Sequence, residues 1–105
     1  MESTKTMKAA DECDTMADVR DEIDAIDKAL VALIGKRCTY IEAAARIKHT
    51  VDAVRDEARI KDVLDKTQAH AKTLSVPVDI IAATMSALVE ASIDHEFKKF
   101  DEKHP

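Results

Sequence analysis

From position 19 the apolar residues fall into a helical rhythm. Val19, Ile23, Ile26, Leu30, Leu33, Arg37, Tyr40, Ala44 and Ile47 are spaced alternately by four and three. That is the a/d stripe of a helix that packs along its whole length. Asp18, Asp21 and Glu22 crowd its start, where the helix dipole favours negative charge. Gly35 is the one blemish, and its cost of about 1 kcal/mol relative to Ala is bearable in a long helix. The pattern predicts a first helix over about 17–48 and a short loop over 49–54. A second helix is expected over about 55–74, with Ile60, Val63, Leu64, Thr67, Ala71 and Leu74 on its apolar face. Ser75-Val76-Pro77 marks the next boundary. Ser75 or Val76 is suited to cap a third helix, and Pro77 to open it. That helix is expected over about 77–101, with Ile81, Met85, Leu88, Ser92 and Glu96 along one face. Residues 1–15 are polar and patternless and read as a flexible tail before a single domain, 16–105.

Composition sharpens this into an all-α fold. One glycine and two prolines in 105 residues leave little material for strands and tight hairpins. At 1.5 Å per residue the first helix would be roughly 45 Å long. A compact domain of this size has a radius of gyration of only about 13 Å. Two shorter helices cannot cover so long a stripe, so an intertwined homodimer of three-helix chains is expected. A net charge of −5 argues against nucleic acid or an acidic membrane as partner. It does not prevent a few cations gathered in one pocket from attracting a small anion. Cys13 and Cys38 show no metal spacing and read as free thiols in a reducing cytoplasm. The start of the chain lacks the apolar run of a signal peptide. No stretch approaches the roughly 18 apolar residues of a membrane span.

A few residues resist a bland core reading. Arg37 occupies a stripe position where its neighbours in the rhythm are apolar, and an unpaired guanidinium is costly there. It either pairs within the protein, reaches water or clamps an anion. Lys48 lies eleven residues later and faces nearly the same side, about 16 Å away along the axis; alone, it reads as a dipole partner at the helix end. Arg20 is off that face, and its default reading is a surface charge. Ser92 and Glu96 extend the apolar line of the third helix. Glu96 therefore needs a partner or a proton, unless the helix frays there and leaves it exposed. Asp56, Glu57 and Arg59 open the second helix, with a solvated face as their default. His49, His70, His95 and His104 are scattered, and no phosphate loop, nucleophile elbow or zinc motif is present.

Taken in order, certain residues resemble the AroQ-type chorismate mutases and the related isochorismate pyruvate lyases. They are Ala17-Asp18-Val19-Arg20, Ile23-Asp24, Ile26-Asp27, Lys36-Arg37 with Tyr40, Ala45-Arg46-Ile47-Lys48, Val54-Arg55-Asp56 with Arg59, and Leu88-Val89-Glu90 with Ser92 and Glu96. The resemblance covers roughly 13–100. It implies two sites per dimer and a small dicarboxylate substrate, chorismate or isochorismate. Arg20 would reach into the partner's site, and Arg37, Lys48, Asp56, Arg59, Ser92 and Glu96 would come from the other chain. Arg37, Lys48 and Glu96 would be the catalytic members. The implied reaction is the rearrangement of chorismate to prephenate in aromatic amino-acid biosynthesis, with no cofactor and no metal. The alternative is formation of salicylate and pyruvate from isochorismate. A third reading, from another class, is a non-catalytic helical dimer that binds a small anion. Many mutases carry Gln where this chain has Glu96, and an ionised Glu cannot donate a hydrogen bond, so Glu96 would act protonated. Many also carry Glu where this chain has Ile60, a position that is apolar in the lyase-like relatives.

Overall fold

A computed structural model describes residues 8–105. It contains three α-helices: α1 (Met16–Ile47), α2 (Glu57–Thr73) and α3 (Val78–Lys103). Short 3₁₀ turns at Ala10–Glu12 and Val51–Ala53 precede α1 and α2. Each helix lies within a few residues of its expected span. Among the described residues no helix is long and apolar enough to cross a membrane. The first part of the expected tail, 1–7, lies outside the described residues.

The helix ends follow local chemistry. Thr15 opens α1: its hydroxyl accepts from the Asp18 backbone N–H at 3.1 Å, and the Asp18 carboxylate accepts in return from the N–H of Thr15 at 3.4 Å. This reciprocal pair satisfies donors that a helix start leaves unpaired. The Asp18 carboxylate also accepts from the N–H of Asp14 and from Lys8. These bonds, Asp14 foremost, hold its carboxyl below the usual aspartate range. Asp56 caps α2, accepting from the Arg59 N–H at 3.1 Å.

The α2–α3 junction departs from expectation. Ser75 caps nothing on α3. It adopts φ 58° and ends α2, while its N–H donates to Lys72 and that of Val76 donates to Ala71. This is a Schellman closure with serine in the left-handed slot that glycine usually fills. Pro77 is the residue just before α3, where no side chain makes a cap bond.

The chain divides into two units, one ending at Arg37 and one running Cys38–Pro105. The first holds the 3₁₀ turn and most of α1. Along it Met16, Ile23, Ile26, Leu30 and Leu33 are all exposed. In the second unit, Ala45, Val54, Val89, Ile93 and Phe100 form the core, with Ile60, Val63, Leu64 and Phe97 against it. The buried seam of α3 keeps Ser92 and Glu96 of the expected line and adds Val89, Ile93 and Phe100, while Ile81, Met85 and Leu88 are half-buried. Leu74, expected on the packed face of α2, is exposed because the Schellman turn ends the helix just before it. His104 closes the far end: its ring stacks on Phe100 with centroids 4.0 Å apart, and its Nε2 meets the Ala45 carbonyl at 3.0 Å. That carbonyl belongs to the last turn of α1, which lacks helical partners for its oxygens.

Candidate active site

The second unit carries a polar cluster within its apolar seam. Glu96 is 4% exposed, although α3 continues to Lys103. Fraying therefore does not account for it, and the seam forces it inward. Lys48, just past the last residue of α1, supplies the counter-charge: its ammonium lies 2.7 Å from Glu96 Oε2. The same ammonium donates to the Val54 carbonyl at 3.4 Å. A buried carboxylate without a cation would be costly, and this short, charge-assisted bond offsets that cost. The two residues are 48 positions apart in sequence and are the pair that the fold brings together.

Ser92 stands one turn before Glu96 on the same seam, and its hydroxyl donates to the Leu88 carbonyl at 2.7 Å. That bond is the helical back-bond open to any serine, and it points the oxygen along α3. Asp56 is engaged as the α2 cap. Arg59, on the first turn of α2, pairs with Asp62 at 2.6 Å on an exposed face. Arg20 is exposed on α1 and Arg37 is half-buried there; both belong to the first unit.

Two further contacts escaped the sequence reading. Arg55, in the connector before α2, holds both oxygens of Glu90 on α3, with Nη1 at 2.9 Å and Nη2 at 3.1 Å. Its Nε donates to Glu57 at 2.6 Å. The guanidinium holds the Glu90 carboxyl below the usual glutamate range. His95, beside Glu96, meets Glu42 of α1 with Nε2 2.7 Å from Oε2. That bond is the main cause of a lowered Glu42 pKa. Pairs 35 and 53 residues apart leave no periodic trace in the sequence. Arg55 and Glu90 stood within quoted stretches but without a role.

Chemically, the cluster presents one cation, one carboxyl and one hydroxyl on a dry wall. Such a set can hold an anion and place hydrogen bonds at a developing charge. A model of a family described as chorismate mutase type II matches residues 19–97. The chain is also similar to the isochorismate pyruvate lyase of Pseudomonas aeruginosa, with 26% identity over 92 residues, 88% of this chain and 91% of that protein.

Proposed function

Since the chain belongs to the chorismate mutase type II family, we propose that it rearranges chorismate to prephenate. The observation that carries this reading is the Lys48–Glu96 pair, a cation held at a 4%-exposed carboxyl inside an apolar seam. The reaction is an intramolecular [3,3] shift: the ether C–O bond breaks as a C–C bond forms, with no external reagent. Catalysis therefore consists of orientation and charge stabilisation. Lys48 donates to the ether oxygen as negative charge builds there, and Glu96, carrying a proton, donates from the other side. Arg37 and Arg20, the latter from the partner chain, hold the substrate's carboxylates as bidentate clamps. Asp56, Arg59 and Ser92 complete the contacts to the substrate.

The reading includes a homodimer. Exposure supports it: Met16, Ile23, Ile26, Leu30, Leu33, Tyr40 and Ile47 are between 47% and 67% exposed in the single chain. A contiguous apolar stripe of this kind marks an interaction surface. Between α2 and α3, Thr67, Ala71, Leu74, Val76, Ile81 and Met85 line an open apolar hollow of about 200 Å³, further surface for a second chain to cover. Sedimentation should give a dimer; a stable, folded monomer at micromolar concentration would refute this.

The second reading, formation of salicylate and pyruvate from isochorismate, is favoured by the similarity to the Pseudomonas aeruginosa lyase and by apolar Ile60 on the first turn of α2. Incubation with chorismate and, separately, with isochorismate decides between them. Prephenate from chorismate supports the mutase, salicylate from isochorismate supports the lyase, and turnover of neither sinks both.

A further inference from the structure

We propose that Arg55 is a positioning residue for Lys48, acting through Glu90, an inference that rests on Lys48 serving the reaction as argued above. Within the connector between α1 and α2, the Val54 carbonyl accepts from the Lys48 ammonium at 3.4 Å. Where that carbonyl lies therefore helps decide where the ammonium lies. Val54 is held from below, its side chain 3% exposed in the core. The next residue holds the connector from the side. Arg55 grips both oxygens of Glu90 on α3, while its third nitrogen is bound to Glu57 at the start of α2.

This is a fork-to-fork contact of fixed geometry, not a single flexible charge pair. It ties the connector to α3 two residues before Ser92 and six before Glu96. Lys48 and Glu96 are thus registered twice, once by their own bond and once through Val54–Arg55–Glu90. The side chains of Arg55 and Glu90 are 42% and 54% exposed, and pairs this open add little to global stability. What the contact supplies is register. Misplacing a reacting group by about 1 Å can cost roughly a hundredfold in rate.

The test uses Arg55→Lys, which keeps the charge but loses the fork, Glu90→Gln, and the double variant, all in the whole chain. Each single variant should lower kcat roughly tenfold with KM and melting midpoint nearly unchanged, because an ill-placed donor is missed mainly in the transition state. The double variant should be no worse than either single one, since both break one contact. Additive losses, or a loss confined to KM, would mean that Arg55 meets the substrate itself and would overturn the proposal. A second arm needs no turnover. The Ala53 and Val54 amides donate within the connector to Thr50 and Val51. In Glu90→Gln they should exchange roughly two- to fivefold faster than in wild type, with α3 unchanged. Unaltered exchange overturns the clamp whatever the enzyme does. A wild type inactive on both substrates overturns the proposed function instead and leaves the exchange result to decide the clamp.

Discussion

Removing the Lys48 ammonium should destabilise the fold by an amount that a second substitution partly restores. In Lys48→Ala, Glu96 keeps its place in the seam but loses the cation 2.7 Å away. Breaking a fully buried pair costs about 3–5 kcal/mol, and an exposed pair contributes only about 0–1 kcal/mol. Here the side chains are 5% exposed for Glu96 and 28% for Lys48, so a loss of about 2 kcal/mol is expected. Glu96→Gln alone keeps an acceptor for Lys48 and loses only the charge, costing about 1 kcal/mol. The double variant has neither a buried ion nor an ammonium. It should be more stable than Lys48→Ala by about 1 kcal/mol, because an unpaired charge is worse than an unpaired amide. Urea denaturation followed by circular dichroism, at one fixed protein concentration because the stability of the proposed dimer would depend on it, gives all four corners of the cycle. If the two single losses simply add, or if Lys48→Ala matches wild type, then Lys48 is not what makes a buried Glu96 tolerable. The same cycle warns that a fall in activity of Lys48→Ala at elevated temperature would mix unfolding with catalysis, so its turnover belongs well below its melting midpoint.

Arg37→Ala should nearly abolish turnover while the protein stays folded, at a cost of roughly 3–4 kcal/mol of barrier; retention of most of the wild-type kcat/KM would remove Arg37 from its role. Glu96→Gln, which offers an amide donor where the proposed mechanism needs one, should keep most of the wild-type turnover; a folded but inactive Gln variant would mean Glu96 acts as an anion or as scaffold. The Glu42 and Glu90 carboxyls are held below their ordinary value of 4.5 by His95 and Arg55 respectively. Their stabilisation is therefore present above that value and lost as pH falls through the folded-state values. Glu42→Gln should weaken the acid dependence of the melting midpoint, and an identical acid limb in wild type and variant would contradict this. Ser75→Gly should raise stability by about 1 kcal/mol, because serine holds a left-handed φ of 58° that glycine adopts without strain; an unchanged or lower melting midpoint would show that the turn carries no strain.

The helices were legible because their signals are local. A four–three rhythm from Val19 to Ile47 needs no knowledge of partners, and neither does the scarcity of glycine and proline, with Gly35 of α1 the one glycine in the chain. The α2–α3 boundary was located for the same reason, but its chemistry was misassigned. Serine serves both helix starts and turns, and only the backbone conformation distinguishes the two. The breadth of the α3 seam has another origin. Val89 and Ile93 sit one position from Leu88 and Ser92, while Phe100 continues the Ser92–Glu96 line by one turn, and both lines are apolar enough to be packed. How deeply each is buried depends on α2 and the end of α1. Glu96 stood out from sequence as a charge on a buried line. Its partner Lys48 stood out separately as a cation near the end of α1, and no spacing rule could join two residues 48 positions apart. The Arg55–Glu90 fork was less visible still, since an arginine in a polar connector and a glutamate on a helix surface are unremarkable alone.

The geometry of the Lys48–Glu96 pair bears on how a ligand would enter. Glu96 cannot swing away, because it is set in the α3 seam between Ile93 and Phe100. Lys48 can, because its flexible stem ends in an ammonium that is bound at Glu96 and at the Val54 carbonyl and is 28% exposed. A substrate that recruits this ammonium draws it from a carboxylate that stays behind in a dry environment. The vacated carboxyl must then find another partner, since an uncompensated ion there is unfavourable. Under the proposed mechanism residue 96 has to act as a donor, and Glu96→Gln supplies one in the same place with no charge to strand. That variant leaves Lys48 free to turn to the substrate. Its turnover, read beside its stability, therefore reports whether the pair is the working part of the site or a strut of the fold.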